Sequence, residues 1–179
     1  MKLLKRILRH DGINLAGKVS SRSAVRGIIP GEGKRLLMVF SATRGDYKFP
    51  GGGVNKGETH ARALAREIRE ECGATATSLG PGFGKVIEYD FSEMPGCDVF
   101  KMTSHYYWCE IEATFQPQKL DDYEADLGFQ PVWVEVAEAI EKNKTLLANS
   151  QDKEIFWLRR ETFILETLQR EELHGSSFR

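Results

Sequence analysis

The sequence is short of the features that announce a function most directly. Its three cysteines, Cys72, Cys97 and Cys109, stand far apart among 179 residues, and no CxxC pair occurs. That spacing gives neither a zinc ribbon nor a disulfide framework, so reduced thiols in a cytoplasmic protein are the simplest account. No stretch approaches the roughly 20 apolar residues of a membrane span. Net charge is only −1, so no bulk positive field points toward nucleic acid. The chain is therefore expected to be cytoplasmic, with no nucleic-acid and no membrane partner.

The N-terminal MKLLKRILRH carries Lys2, Lys5, Arg6 and Arg9 among its leucines and isoleucine. These charges interrupt the apolar core of about seven residues that a secretory signal needs. The segment reads as one that packs its leucines on the domain, with a basic amphipathic surface helix as the alternative. What the sequence does have is the composition of an ordinary globular protein, 41% hydrophobic and 28% charged. Its length suits one domain over residues 1–179. Repeats, linkers and low-complexity tracts are absent from the sequence.

SAVRGII (23–29) and RLLMVF (35–40) read as strands around the turn Pro30-Gly31-Glu32-Gly33. Gly80 to Gly84 reads as a loop, KVIEYDF (85–91) as a strand, and 103–115 as a long aromatic-rich β run. The acidic connection 116–129 is longer than most structural loops and is a candidate lid or specificity loop. PVWVEV (131–136) is a strand, and 137–142 opens a helix. A last helix is expected over 152–173. Its apolar residues spread widely round the wheel, which suggests burial on two sides and a candidate homodimer interface.

The centre of the chain is GGGVNKGETHARALAREIREECGA (51–74). A glycine-rich turn leads into a helix. On a wheel of about 100° per residue, Ala61, Leu64, Ala65, Ile68 and Cys72 form one apolar stripe. Arg62, Arg66 and Arg69 flank it on one edge, and Glu67, Glu70 and Glu71 on the other. Gly73 sits where a left-handed cap needs a residue without a β-carbon. The three carboxylates stand at i, i+3 and i+4, where like charges repel. An EIREE segment alone is most often a solvated face. A divalent cation such as Mg²⁺ would remove the repulsion, and the turn's backbone N–H groups could meet phosphate oxygens at the helix start.

The whole spacing carries more than the glutamates do. Gly52, Glu58, Arg66-Glu67-Ile68, Glu70-Glu71 and Gly73 match every fixed position of GX5EX7REUXEEXGU, with Ala74 in place of the final bulky aliphatic. The segment resembles the Nudix box. The resemblance implies an α/β/α sandwich with a mixed β-sheet. It also implies hydrolysis of a pyrophosphate bond in a nucleoside diphosphate linked to another moiety, such as a nucleoside triphosphate or nucleotide derivative, with Mg²⁺ or Mn²⁺ as cofactor. Carried over by position, Glu67, Glu70 and Glu71 would bind metal with the backbone of Gly52. Arg66 would orient them, and Glu58 would brace loop and helix.

Glu70 or Glu71 could serve as general base. Some members use a later loop glutamate instead, for which Glu124 comes first here and Asp126 second, ahead of Glu110 and Glu112. Arg44, Lys48, Gly52 and Gly53 are candidates for substrate phosphates. Tyr47, Phe49, Tyr106, Tyr107 and Trp108 offer stacking faces, though aromatics in strands are more often core. His105 among them reads as structural. Two other classes compete: a non-catalytic nucleotide-binding regulatory domain, and an isomerase of allylic diphosphates. Retention of every box glutamate favours catalysis over the first, and no cysteine is placed for the second.

Overall fold

The computed structural model describes residues 1–149 and 157–173. Two sheets lie side by side. The first has the strand order β1 (Leu3–Leu8), β5 (Ala76–Phe91), β6 (Val99–Ile111), β2 (Val19–Ile28). It is mixed, because β1–β5 and β2–β6 are parallel pairs whereas β5–β6 is antiparallel. The second is antiparallel, with the order β4 (Tyr47–Lys48), β3 (Arg35–Ser41), β7 (Phe129–Glu135).

Alternation on β2 and β3 places a core on each face. Val25, Ile29, Leu37 and Val39 pack against α1 (His60–Cys72), through Ala63, Leu64, Ile68 and Cys72. Ile28, Leu36 and Met38 turn the other way, toward α3 (Val136–Asn149) and α4 (Leu158–Leu173), where Ala139, Ile140, Ile164 and Leu165 wait. The layers are α/β/α over a mixed sheet, as expected.

Several local expectations change. The N-terminal segment is not the alternative helix: it is edge strand β1, which buries Ile7 in the core and packs Leu4 against it, in line with the first reading, while Leu8 stays exposed. Gly80–Gly84 is no loop. It lies within β5, where register shifts between Leu79 and Gly84 absorb the glycines and Pro81 as bulges. The connection 116–129 contains a short helix, α2 (Asp122–Asp126), closed by a reciprocal capping box between Asp121 and Glu124. The buried stripe of α1 is also rotated from the expected one. Ala61 and Ala65 are exposed, while Ala63, Glu67 and Glu71 are buried.

The last helix is indeed covered on two sides, but within the chain, with Leu158, Ile164, Leu165 and Leu168 all in the core. Ile155 and Phe156 lie outside the described residues. No described helix is long and apolar enough to cross a membrane. Cys72 and Cys109 are buried free thiols, and Cys97 is free and half-buried.

Candidate active site

The glycine turn is held like an extra strand along β2. Gly27 N–H donates to Pro50 O at 2.8 Å, Val25 N–H to Gly52 O at 2.9 Å, and Val54 N–H to Ser23 O at 3.0 Å. Such close approach requires glycine. Gly51 has φ +136°, and a β-carbon there would overlap Val25 O; one on Gly52 would overlap the Glu67 carboxylate. The turn and the first carboxylate therefore touch without intervening side chain.

The helix begins at Thr59, whose Oγ1 accepts from Arg62 N–H, and ends at Gly73 with φ 68°, the left-handed cap the sequence called for. Segment 116–119 then straps onto this end. Gln116 N–H donates to Gly73 O at 2.8 Å and Lys119 N–H to Glu70 O at 2.8 Å, and the Gln118 amide reaches Glu71 O. Arg69 grips the strap through Pro117 O and Gln116 Oε1. The helix's last carbonyls are thus satisfied by the long connection, which delivers Glu124 to the site. The expected lid is an anchored strap.

Glu67, Glu71 and Glu124 converge, with carboxylate oxygens within 4.8 Å of one another. Glu71 is 1% exposed and accepts from Lys48 Nζ at 2.5 Å and Gly51 N–H at 2.7 Å. Arg66 forks onto Glu58 with two bonds of 3.0 Å, and reaches Glu67 at 2.7 Å, Glu70 at 3.1 Å and Gly53 O at 3.0 Å. These bonds raise the Arg66 guanidinium above its usual range, Glu58 contributing most, and hold Glu58 below the ordinary carboxylate value. Burial, then the charge of Glu71, pushes Glu67 up. The same two causes take Glu124 to about 7.

Glu70 differs from its neighbours. It lines the same cavity, of about 510 Å³, but its side chain is 37% exposed and it lies outside the three-carboxylate group. Gly52, Gly53 and Lys48 also line this cavity. Arg44 lies over the Trp157 ring, 5.0 Å from its centroid, and is not among the residues that line the cavity. Asp126, Glu110 and Glu112 are exposed and lie outside the carboxylate group. Phe49 and Tyr106 are core, edge to face at 5.5 Å. Tyr47 and Trp108 pack against that core, and Tyr107 bonds His60 beside His105. None of these five aromatics lines the cavity; Tyr123, Phe129 and Trp157 do.

Sequence reasoning also missed Arg22 and Arg26, which line it from β2, and Arg9 and Arg160 from β1 and α4. The first two were findable, because RSAVR places Arg22, Ala24 and Arg26 at period two on one strand face.

A charge-rich box helix under a mixed sheet, with its carboxylates gathered at a glycine turn, defines a Nudix architecture. The chain belongs to that family: the NUDIX domain model matches residues 20–158. It is 38% identical over 68 residues to an RNA pyrophosphohydrolase of Campylobacter jejuni subsp. doylei, covering 36% of this chain and 42% of that protein. It is 40% identical over 57 residues to an RNA pyrophosphohydrolase of Helicobacter pylori (strain G27), covering 30% and 37%. The matches thus span less than half the length of these relatives.

Among solved structures, the E. coli ORF135 protein superposes with TM-score 0.57 and 19% identity over 89% of this chain and 96% of that one. A NUDIX hydrolase from Nitrosomonas europaea superposes with TM-score 0.52 and 20% identity over 79% and 88%. These two likenesses concern the fold.

Proposed function

We propose that this chain is a divalent-metal-dependent hydrolase of a pyrophosphate bond in a nucleoside diphosphate linked to another moiety. One observation carries the reading. Three carboxylates from two elements are brought within 4.8 Å of each other at the glycine turn, with Lys48 and a shared Arg66 as their cations. Hard oxygen donors around a negative excess suit Mg²⁺ or Mn²⁺, and Gly52 leaves Glu67 the space a β-carbon would fill. Glu67 and Glu71 would hold the ion, with Glu70 available in the same cavity. Bound there, it would supply positive charge against the diphosphate oxygens and acidify the attacking water.

The chain's own groups do the rest. Arg66 and Glu58 fix the direction of Glu67, and Lys48 with the Gly51 N–H fixes Glu71. Glu124, held by α2 and its capping box, takes the proton of water as its oxygen attacks phosphorus. The anhydride P–O bond breaks, its electron pair departs on the bridging oxygen, and each product keeps one of the two phosphoryl groups that the bond had joined. Glu124 rather than Glu70 is the preferred base, because it sits among the other carboxylates while Glu70 lies outside their group.

The substrate belongs to the nucleotide class. The relatives named RNA pyrophosphohydrolases argue against excluding nucleic acid, as net charge alone had suggested. An RNA 5′ end therefore joins nucleoside triphosphates and nucleotide derivatives on the panel.

The test is incubation with Mg²⁺ and that panel, with products identified by mass. Glu71→Gln and Glu124→Gln are each expected to lose about 10²–10⁴-fold in kcat, the usual span for a positioned acid–base group. Tight nucleotide binding without turnover of any substrate would instead make the chain a binding module. Full activity in both variants would remove the site assignment.

A further inference from the structure

The cavity holds more cations than its carboxylates engage. Lys48 is engaged with Glu71, Arg66 with Glu58, and Arg160 with Glu88 and Glu161. Arg26 is different. Its Nε and Nη1 are buried and have no hydrogen-bond partner among the described residues. A guanidinium whose donors are withdrawn from water and left unmatched is costly, so such a group usually faces something that supplies acceptors.

Arg22 lies two positions back on the same face of β2, with small Ala24 between them. Its guanidinium rests over Gly53, where a β-carbon would come within 2.6 Å of Nη2. Ala24 and Gly53 are bridged backbone to backbone, so the two small residues form a low floor between the arginines and the glycine turn. The carboxylates line the same cavity, and Arg26 is near enough to Glu67 for its charge to act on that carboxyl.

We infer that Arg22 and Arg26 form an anion clamp for a second negatively charged group of the substrate, beyond the anhydride that is cut. The inference rests on the hydrolase reading and narrows it. A planar fork of N–H donors fits phosphate bidentately, which a lysine cannot reproduce. The clamp therefore selects a 5′-triphosphate, free or on an RNA end, over a nucleoside diphosphate joined to a neutral sugar.

Two measurements test it. In Mg²⁺ buffer, calorimetric affinity for inorganic diimidotriphosphate, whose three phosphoryl groups are joined by bridges that resist hydrolysis, should weaken about tenfold or more in Arg26→Gln, in line with a lost charged hydrogen bond. Arg26→Lys should recover part of it. Arg22→Gln, on an exposed side chain, should weaken binding with its urea midpoint unchanged.

In turnover, the ratio of kcat/KM for a nucleoside triphosphate to that for a nucleoside diphosphate glucose should fall by about the same factor. A 5′-triphosphorylated oligonucleotide run alongside tells the free nucleotide from the RNA end. Unchanged affinity and an unchanged ratio in both glutamine variants overturn the clamp. If hydrolysis depends on Glu71 but not on Arg22 or Arg26, the hydrolase reading stands and the clamp falls. If nothing is hydrolysed yet diimidotriphosphate binding depends on Arg26, the clamp stands and the hydrolase reading falls.

Discussion

Two groups of buried charge meet at this cavity, and they are built oppositely. Around Arg160 every carboxylate oxygen is matched. Glu88 accepts from Arg9 on one oxygen and Arg160 on the other, while Glu161 accepts from Arg160 and from the Phe49 N–H. Arg160 also donates to the Tyr106 hydroxyl at 3.1 Å. Around Glu67, Glu71 and Glu124, the cations that bond the carboxylates are one lysine and an arginine already forked onto Glu58. Glu71 and Glu88 are each 1% exposed, so burial does not separate the two groups. Charge balance does. The closed network sets Arg9 and Arg160 against Glu88 and Glu161, whereas in the open one Glu58, Glu67, Glu70, Glu71 and Glu124 share Lys48 and Arg66.

The largest effect should come from breaking the closed network. Arg160→Met leaves Glu161 buried without its cation and Glu88 with Arg9 alone, and is expected to cost about 3–5 kcal/mol in urea unfolding. Glu67→Gln in metal-free protein should cost far less, because it removes one charge from a negative excess. Equal losses in the two variants would erase the distinction.

The second effect tests the open group by filling it. Mg²⁺ at about a hundred times its dissociation constant should add about 2.7 kcal/mol to wild-type stability. Glu67→Gln should lose most of that gain. Tyr106→Phe, which alters only the closed network, should keep it. A gain that survives Glu67→Gln would place the ion elsewhere.

How far the sequence showed this contrast can be followed residue by residue. Spacing identified Gly52, Glu58, Arg66, Glu67, Glu71 and Gly73, because a box fixes chemistry by position along one helix and its turn. The wheel misplaced the buried face because it treats every glutamate as solvent-seeking. Glu67 and Glu71 are buried because Arg66, Lys48 and the Gly51 N–H meet them; Arg66 stands on the same helix, but Lys48 and Gly51 come from outside it. Glu124 was reachable as a candidate, and its DDYE capping box could have been read directly. The Glu88–Arg160 pair is separated by 72 residues and leaves no local pattern. β1 escaped for a related reason: its parallel pairing to β5 depends on a partner far along the chain.

A smaller effect probes how tightly the turn holds the open group. Gly52→Ala places a methyl against the Glu67 carboxylate, and is expected to cost about 1–3 kcal/mol by overpacking while weakening the Mg²⁺ stabilisation. Gly57→Ala serves as control: its φ of +80° makes the substitution strained, but no atom stands within 4 Å of the added carbon. Loss of Mg²⁺ stabilisation in both would mean that loop strain, rather than contact with Glu67, disturbs the site.

The smallest effect belongs to His105, outside both groups, and it keeps their acid responses from being misread. His60 Nδ1 and the Tyr107 hydroxyl are 2.7 Å apart, and the His60 and His105 rings lie 4.5 Å apart. Burial, then the neighbouring His60, lowers His105 from 6.5 to about 4. Between those values the unfolded chain binds a proton that the folded chain refuses. Stability should therefore fall as pH drops from about 6.5 toward 4, and rise again on the way back. His105 is half-buried, so solvent screening keeps the change modest. His105→Gln should flatten the pH dependence of the urea midpoint in that window. An unaltered slope would assign the acid sensitivity to the carboxylates, and the open and closed groups could then be separated by repeating the titration in Glu67→Gln and in Tyr106→Phe.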